Sequence, residues 1–291
     1  MHRRSTRSTR GGLFGKQRTE RAIRRHVAPI DRNRHGVQAK RDALAGILAP
    51  FFAAQAKKIA KQITGLIADT AKADVDPDQV QRILDALDFS GWTSIADATA
   101  GVLAAMAQDG GSAGLFQIGV SSSDITDQVN AIALAWAKDR SAEMVGMKYD
   151  DSGDLVPNPN AEWAITDSTR DMLRSDVGTA IDEGLSTSDL ADALQARYAF
   201  SPERADTIAR TEIAKADVQG NLIAYKESGV VTGKEVVLGS EHEDTDECDE
   251  AADMGVVPLD SDFGGFGDPP FHPNCVCDVL PVLSADGDID T

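Results

Sequence analysis

One segment constrains the fold more than any other. Residues 202–228 read as a single uninterrupted helix, opened by Ser201-Pro202 and stopped by Gly229. Serine before a first-turn proline, and glycine just past the last helical residue, are start and stop signals set by backbone geometry. At 100° per residue Ala205, Ile208, Ala209, Ala216, Gly220 and Ile223 share one arc, and Glu212 falls inside it. A carboxylate in a buried stripe must be neutralised, paired or hydrogen-bonded, because an unpaired buried charge costs on the order of several kcal/mol. Two readings follow for Glu212. It is a catalytic or metal-binding carboxylate, or it forms a structural ion pair with an arginine from another element.

The preceding chain is helical as well. From Val37 to Ala73, Leu44, Ile47, Leu48, Phe51, Phe52, Ile59, Ile63 and Ile67 recur at three-to-four spacing. Pro50 should kink or split that helix near Leu48. Asp76-Pro77 starts a second helix through Leu87, and a third runs from Ser94 to Ala107. Asp109-Gly110-Gly111 reads as a breaker, and the Gly/Ser-rich stretch 109–123 as a hinge or boundary. Asp124 opens a helix to Val145 with Val129, Ile132, Trp136 and Met144 apolar. A polar break with two prolines, Asp150 to Asn160, follows. Another helix runs from Ala161 to Glu183 and stops at Gly184. Ser186 then caps a short helix that turns Leu190 and Leu194 inward.

After Gly229 the texture changes. Lys234 to Leu238 is a β-branched strand candidate, and Cys275 to Leu283 a second. Between them the chain is acidic and Gly-rich. The expected fold is α+β, predominantly α: a helical body with a small loop-rich C-terminal β subdomain. The divisions are 1–36, a basic flexible arm; 37–123, an N-terminal helical region; 124–228, a helical core; 229–283, a small Cys/His subdomain; and 284–291, a polar tail. No internal repeat is present.

Charge is distributed unevenly along the 291 residues. The first forty hold twelve Lys and Arg against Glu20 and Asp31, whereas residues 41–291 hold 17 basic against 45 acidic side chains. Arg3, Arg4, Arg7, Arg10, Lys16, Arg18, Arg21, Arg24 and Arg25 form the arm. It reads either as an electrostatic contact for DNA or an acidic partner, or as a solvated leader. No run reaches the roughly 18 to 20 apolar residues of a membrane span, so no membrane partner is expected. Three cysteines cannot pair completely, which favours a reducing compartment with free or metal-bound thiols.

Cys248, His272, Cys275 and Cys277 are of zinc-ligand type. Cys275 and Cys277, one residue apart on a strand, would face the same side. His272 lies three residues earlier behind Pro273. The alternative is free buried thiols with His272 bonding only the loop. The expectation is no cofactor, with zinc as the alternative that the four residues leave open.

Read together, these motifs resemble the phage Mu protein F-like minor head proteins, the head-morphogenesis family of tailed phages. The resemblance rests on Ile165-Thr-Asp-Ser-Thr169, Leu190-Ala-Asp-Ala-Leu194, Arg204-Ala205, Ile208-Ala-Arg-Thr-Glu212, Asn221 and Pro-Pro-Phe-His-Pro-Asn-Cys-Val-Cys277, over roughly residues 124–283. The family usually has arginine where Val276 stands and a further cysteine where Ala251 stands. The resemblance implies a non-enzymatic minor capsid protein in the virion, at the portal vertex inside the head, with host cytoplasm as its place during assembly. The implied partners are the portal protein, the major capsid or scaffolding protein, and DNA through the arm. Arg204, Arg210, Glu212 and Asn221 would be structural anchors. Some relatives carry a toxin domain behind this module; with 14 residues after Cys277, none is expected here. The rival classes are a metal-dependent hydrolase or transferase using Glu212 with the Cys/His cluster, and a plain nucleic-acid-binding factor. The first should show a Gly-rich ligand loop or convergent acids at helical spacing. The second should not carry so acidic a body.

Overall fold

The computed structural model describes residues 36–69, 77–183, 186–239, 242 and 246–283. The basic arm through residue 35, Asp76, Gly184 and the tail 284–291 lie outside these residues. In chain order the described elements are α1 (Val37–Asp69), α2 (Pro77–Asp85), a 3-10 turn (Ser90–Thr93), α3 (Ser94–Gln117) and α4 (Ser123–Glu143). A hairpin of β1 (Met147–Tyr149) and β2 (Leu155–Pro157) comes next, then α5 (Ile165–Asp182), α6 (Thr187–Gln195) and a second 3-10 turn (Tyr198–Phe200). The chain continues as α7 (Pro202–Ser228), β3 (Val231–Val237), α8 (Glu247–Asp253), β4 (Val257–Pro258) and β5 (Asp278–Leu283). The fold is α+β and predominantly α, as the sequence predicts.

Helix α7 is the axis of the molecule. The Ser201 hydroxyl accepts from the Arg204 N–H at 3.1 Å, Pro202 stands in the first turn, and Gly229 closes the helix at φ 68°. Those are the signals read in the sequence. Its burial goes beyond a single stripe: from Ala209 to Tyr225 nearly every residue is covered. One face enters the helical core with Ala205, Ala209, Ile213, Ala216 and Ile223. Another, with Val218, Leu222 and Tyr225, enters a second cluster that holds Val236, Val257, Phe263, Val279 and all three cysteines.

The glycines at 110 and 111 do not break the helix. Helix α3 runs through them to Gln117, leaving only residues 118–122 as the connection to α4. Their function is steric. A Cβ on Gly110 would collide with the Asp217 carbonyl, one on Gly111 with Val129, and one on Gly220 of α7 with the Ala107 carbonyl. Helices α3 and α7 thus meet backbone to backbone, a contact that any side chain would forbid. The helix propensity lost, about 1 kcal/mol per glycine, is offset by that packing.

Pro50 does not split α1, which spans it as one helix. Leu44, Leu48, Phe52, Ile59 and Ile63 are fully buried on both sides of the proline, so packing against α6 and α7 holds the helix together where one backbone hydrogen bond is missing. Four aromatic residues meet here. Trp92 packs edge-on to Phe51 at 5.1 Å, with Phe52 and Phe89 also against it.

The polar break at 150–160 contains a hairpin. Asp150 Oδ1 accepts from the N–H groups of Ser152 and Asp154, and Gly153 turns the chain at φ 85°. An aspartate folding back on its own backbone makes such a turn with few apolar residues, so no alternating pattern announces it. In the C-terminal sheet the strand order is β4-β3-β5, all antiparallel. Strand β5 begins at Asp278, so Cys275 and Cys277 lie in the loop before it rather than on it, a correction to the sequence reading. Pro281 is tolerated because β5 is an edge strand.

Candidate functional site

The turn before β5 brings the cysteines together. Between Pro270 and Cys275 the chain doubles back: the Cys275 N–H donates to the His272 carbonyl at 3.1 Å, and Asn274 adopts a left-handed φ of 63°. The Asn274 N–H then donates to Thr211 Oγ1 of α7 at 3.0 Å, which ties the turn to the helical axis. Opposite stands α8, whose N-terminus is a capping box. Asp246 accepts from the Cys248 N–H at 2.8 Å, while the Asp249 carboxylate accepts from the Asp246 N–H at 3.1 Å. This short helix turns Cys248 inward.

Cys248 Sγ lies 3.6 Å from Cys275 Sγ and 3.3 Å from His272 Nε2. Cys277 Sγ faces Nδ1 of His242 at 3.9 Å, a histidine the sequence reading missed. All three cysteines are buried, and none forms a disulfide. Two groups of potential ligands share Cys248: His242–Cys248–Cys277 and Cys248–His272–Cys275. The four residues expected to cluster do so, although Cys275 and Cys277 are positioned by a loop. His242 lies in a polar acidic sequence without periodicity, and only its placement beside Cys277 reveals it.

The thiols differ in acidity. The side chain of Cys277, with N–H groups of Cys277 and Phe271, brings Cys275 down to about 5. Burial and the neighbouring Cys275 push Cys248 up, and Cys275 does the same to Cys277. Asp249, which accepts from His242 Nε2 at 3.0 Å, raises that imidazole.

The second buried constellation is built on Glu212. Arg140 of α4 donates from Nε to Oε2 at 2.8 Å and from Nη2 to Oε1 at 2.6 Å. Its remaining donors reach Glu143 at 2.6 Å and the Glu162 carbonyl at 3.1 Å. Burial pushes the Glu212 carboxyl up, but the charge and hydrogen bonds of Arg140 outweigh it and hold the group below its ordinary value. With both oxygens taken by a bidentate guanidinium, Glu212 is the structural ion pair of the second sequence reading.

The other expected anchors separate. Arg204 is buried without a carboxylate and donates to Ala199 O at 2.5 Å, Thr169 Oγ1 and Ser168 Oγ at 2.8 Å, and Ile165 O at 3.2 Å. Two sequence motifs, Ile165–Thr169 and Arg204, are therefore halves of one hydrogen-bonded junction, and burial brings the Arg204 guanidinium down to about 10. Asn221 is fully buried against Gly114 of α3, its amide atoms without a partner among the described residues. Arg210 is half-exposed and, among the described residues, pairs with Asp206 one turn back on α7. Such a surface pair contributes about 0.3–0.5 kcal/mol.

No curated protein and no solved structure matches the chain significantly. A family model does. Residues 171–280, which hold Arg204, Glu212 and the whole cysteine–histidine cluster, are similar to the family described as Phage Mu protein F like protein.

Proposed function

We propose that the protein is a structural minor component of a tailed-phage head, bound at the portal vertex inside the shell, where it assists head assembly or the packaging and ejection of DNA. The observation that carries this reading is the match of residues 171–280 to the Mu F-like family, a family of phage head proteins. The buried chemistry agrees with a structural role. Glu212, the carboxylate on which a hydrolase or transferase would depend, is held by both oxygens in a bidentate pair with Arg140, and Arg204 spends its donors on backbone and hydroxyl groups.

The charge layout suggests how such a component works. The acidic body offers its surface to a protein ring, with the portal as first partner and the major capsid or scaffolding protein as others. The basic residues before position 41 provide a sequence-independent electrostatic contact for DNA. Among the described residues no helix is long and apolar enough to cross a membrane.

Mass analysis of purified particles tests the reading. The chain should be present in the head, in a fixed ratio to the portal protein, and should co-purify with portal assemblies from lysates lacking the major capsid protein. Its absence from finished heads and from portal complexes would sink the proposal.

A further inference from the structure

The cysteine–histidine cluster has no part in the proposed head function, yet it is organised as a ligand shell. Around Cys248 four side-chain donors and two carboxylates converge from separate segments: the loop after β3, α8, and the turn before β5. The spacing suits a metal. Two sulfurs bound to one tetrahedral zinc at about 2.3 Å stand about 3.7 Å apart, and a sulfur and an imidazole nitrogen about 3.5 Å apart. The observed separations are 3.6 Å for Cys248 and Cys275, 3.3 Å for Cys248 and His272 Nε2, and 3.9 Å for Cys277 and His242 Nδ1, in two groups of donors that share Cys248.

The histidines differ in what they can offer. His242 is nearly buried, directs Nδ1 at Cys277, and donates from Nε2 to the Asp249 carboxylate at 3.0 Å. A carboxylate behind a histidine fixes the tautomer and leaves the other nitrogen's lone pair for a metal, the usual outer arrangement of zinc-bound imidazole. In His272 both ring nitrogens face oxygen acceptors, Nδ1 the Pro273 carbonyl at 3.0 Å and Nε2 the Asp246 carboxylate at 3.2 Å. That Nε2 also stands 3.3 Å from Cys248 Sγ, so it is shared between a sulfur and a carboxylate, and His272 is the more exposed of the two histidines. His272 acts from outside, beside Cys248.

We propose that Cys248, Cys275, Cys277 and His242 hold one divalent, thiophilic ion of the zinc class, with Asp249 orienting His242 and His272 excluded from the ligand set. Residue 251 is a buried alanine, and the fourth ligand in this set is His242. Binding displaces thiol protons, so the ion is taken up with proton release, and three thiolates with one imidazole leave no open position for substrate. The site is a clamp: it fastens α8 and the 269–277 turn, which few large apolar residues would otherwise hold.

The test uses the full-length chain purified under reducing conditions and loaded with Zn(II), or with Co(II) as a spectroscopic stand-in. One ion per chain should remain after dialysis, and the cobalt form should show visible absorption of a four-coordinate ion with sulfur-to-cobalt charge transfer. His242→Ala should weaken zinc at least about tenfold in competition with a chromophoric chelator, whereas His272→Ala should hold it within about threefold. Helical circular dichroism reports whether a variant folds. If His242→Ala does not, His242→Cys, which supplies a thiolate from the same position, should restore one ion. A wild-type chain that takes up no ion, one that takes up two, a Cys248–Cys275 disulfide under reducing conditions, or loss of zinc on changing His272 but not His242 would each overturn the assignment.

Discussion

A bidentate guanidinium–carboxylate pair in a dry interior stabilises only while both members are present. Removing either Arg140 or Glu212 leaves the other as an uncompensated buried charge, so Glu212→Gln and Arg140→Met should each lower unfolding free energy by roughly 3 to 5 kcal/mol. The double variant should lose less than the sum, and urea denaturation of the four proteins completes the cycle. Acid adds a signature. The folded carboxyl of Glu212 is held below its ordinary value of 4.5, so the unfolded chain binds the proton more readily. The stabilisation is therefore fully present above that value and lost as pH falls through the lower folded value. Glu212→Gln should flatten the acid limb of a stability–pH curve, and an unchanged limb would show that the pair is not coupled to protonation. The sequence disclosed half of this arrangement. Helical periodicity places Glu212 in the buried stripe, but Arg140 lies 72 residues away on a helix whose own pattern does not mark it. His242 is the same case in a loop. Partners across a fold are set by packing, which a single sequence does not write in its period.

At the level of elements, the α3–α7 crossing was misread for a reason that yields its own test. Gly-Gly inside an apolar run reads as a breaker when only local propensity is weighed, yet here the same residues allow two backbones to touch. The two kinds of glycine should then respond oppositely on one helix. Gly101 of α3 faces open space, so Gly101→Ala should raise stability by about 0.5 to 1 kcal/mol through propensity alone. Gly110→Ala should lower it by about 1 to 3 kcal/mol, because the new methyl meets the Asp217 carbonyl. Thermal melts of the two variants decide it; a shift of the same sign would mean the crossing is looser than described. By contrast α7 and the cap of α6 were legible, because Ser201-Pro202, Gly229 and Ser186 act on their own backbone.

For the whole molecule, the charge asymmetry makes the basic arm separable from the body in its effects. A chain lacking residues 1–36 should keep its helical circular dichroism and melting temperature, and should lose salt-sensitive binding to duplex DNA or to an acidic partner. Titrations across ionic strength measure this, since each phosphate neutralised contributes about −0.9 to the slope of log affinity against log salt. Binding that survives with the same slope would remove the arm from the contact.

The position of α7, with one flank in each buried cluster, has a dynamic consequence. Neither cluster can open without stripping a face from the same helix, so backbone amides between Ala209 and Tyr225 should exchange with deuterium only when the entire described fold opens. Stripping a bound ion with a chelator should speed exchange in α8 and the 269–277 turn while those axial amides stay protected. The fold would then have one slow-exchanging rod, around which its peripheral loops can fray and re-form without loss of the packed centre.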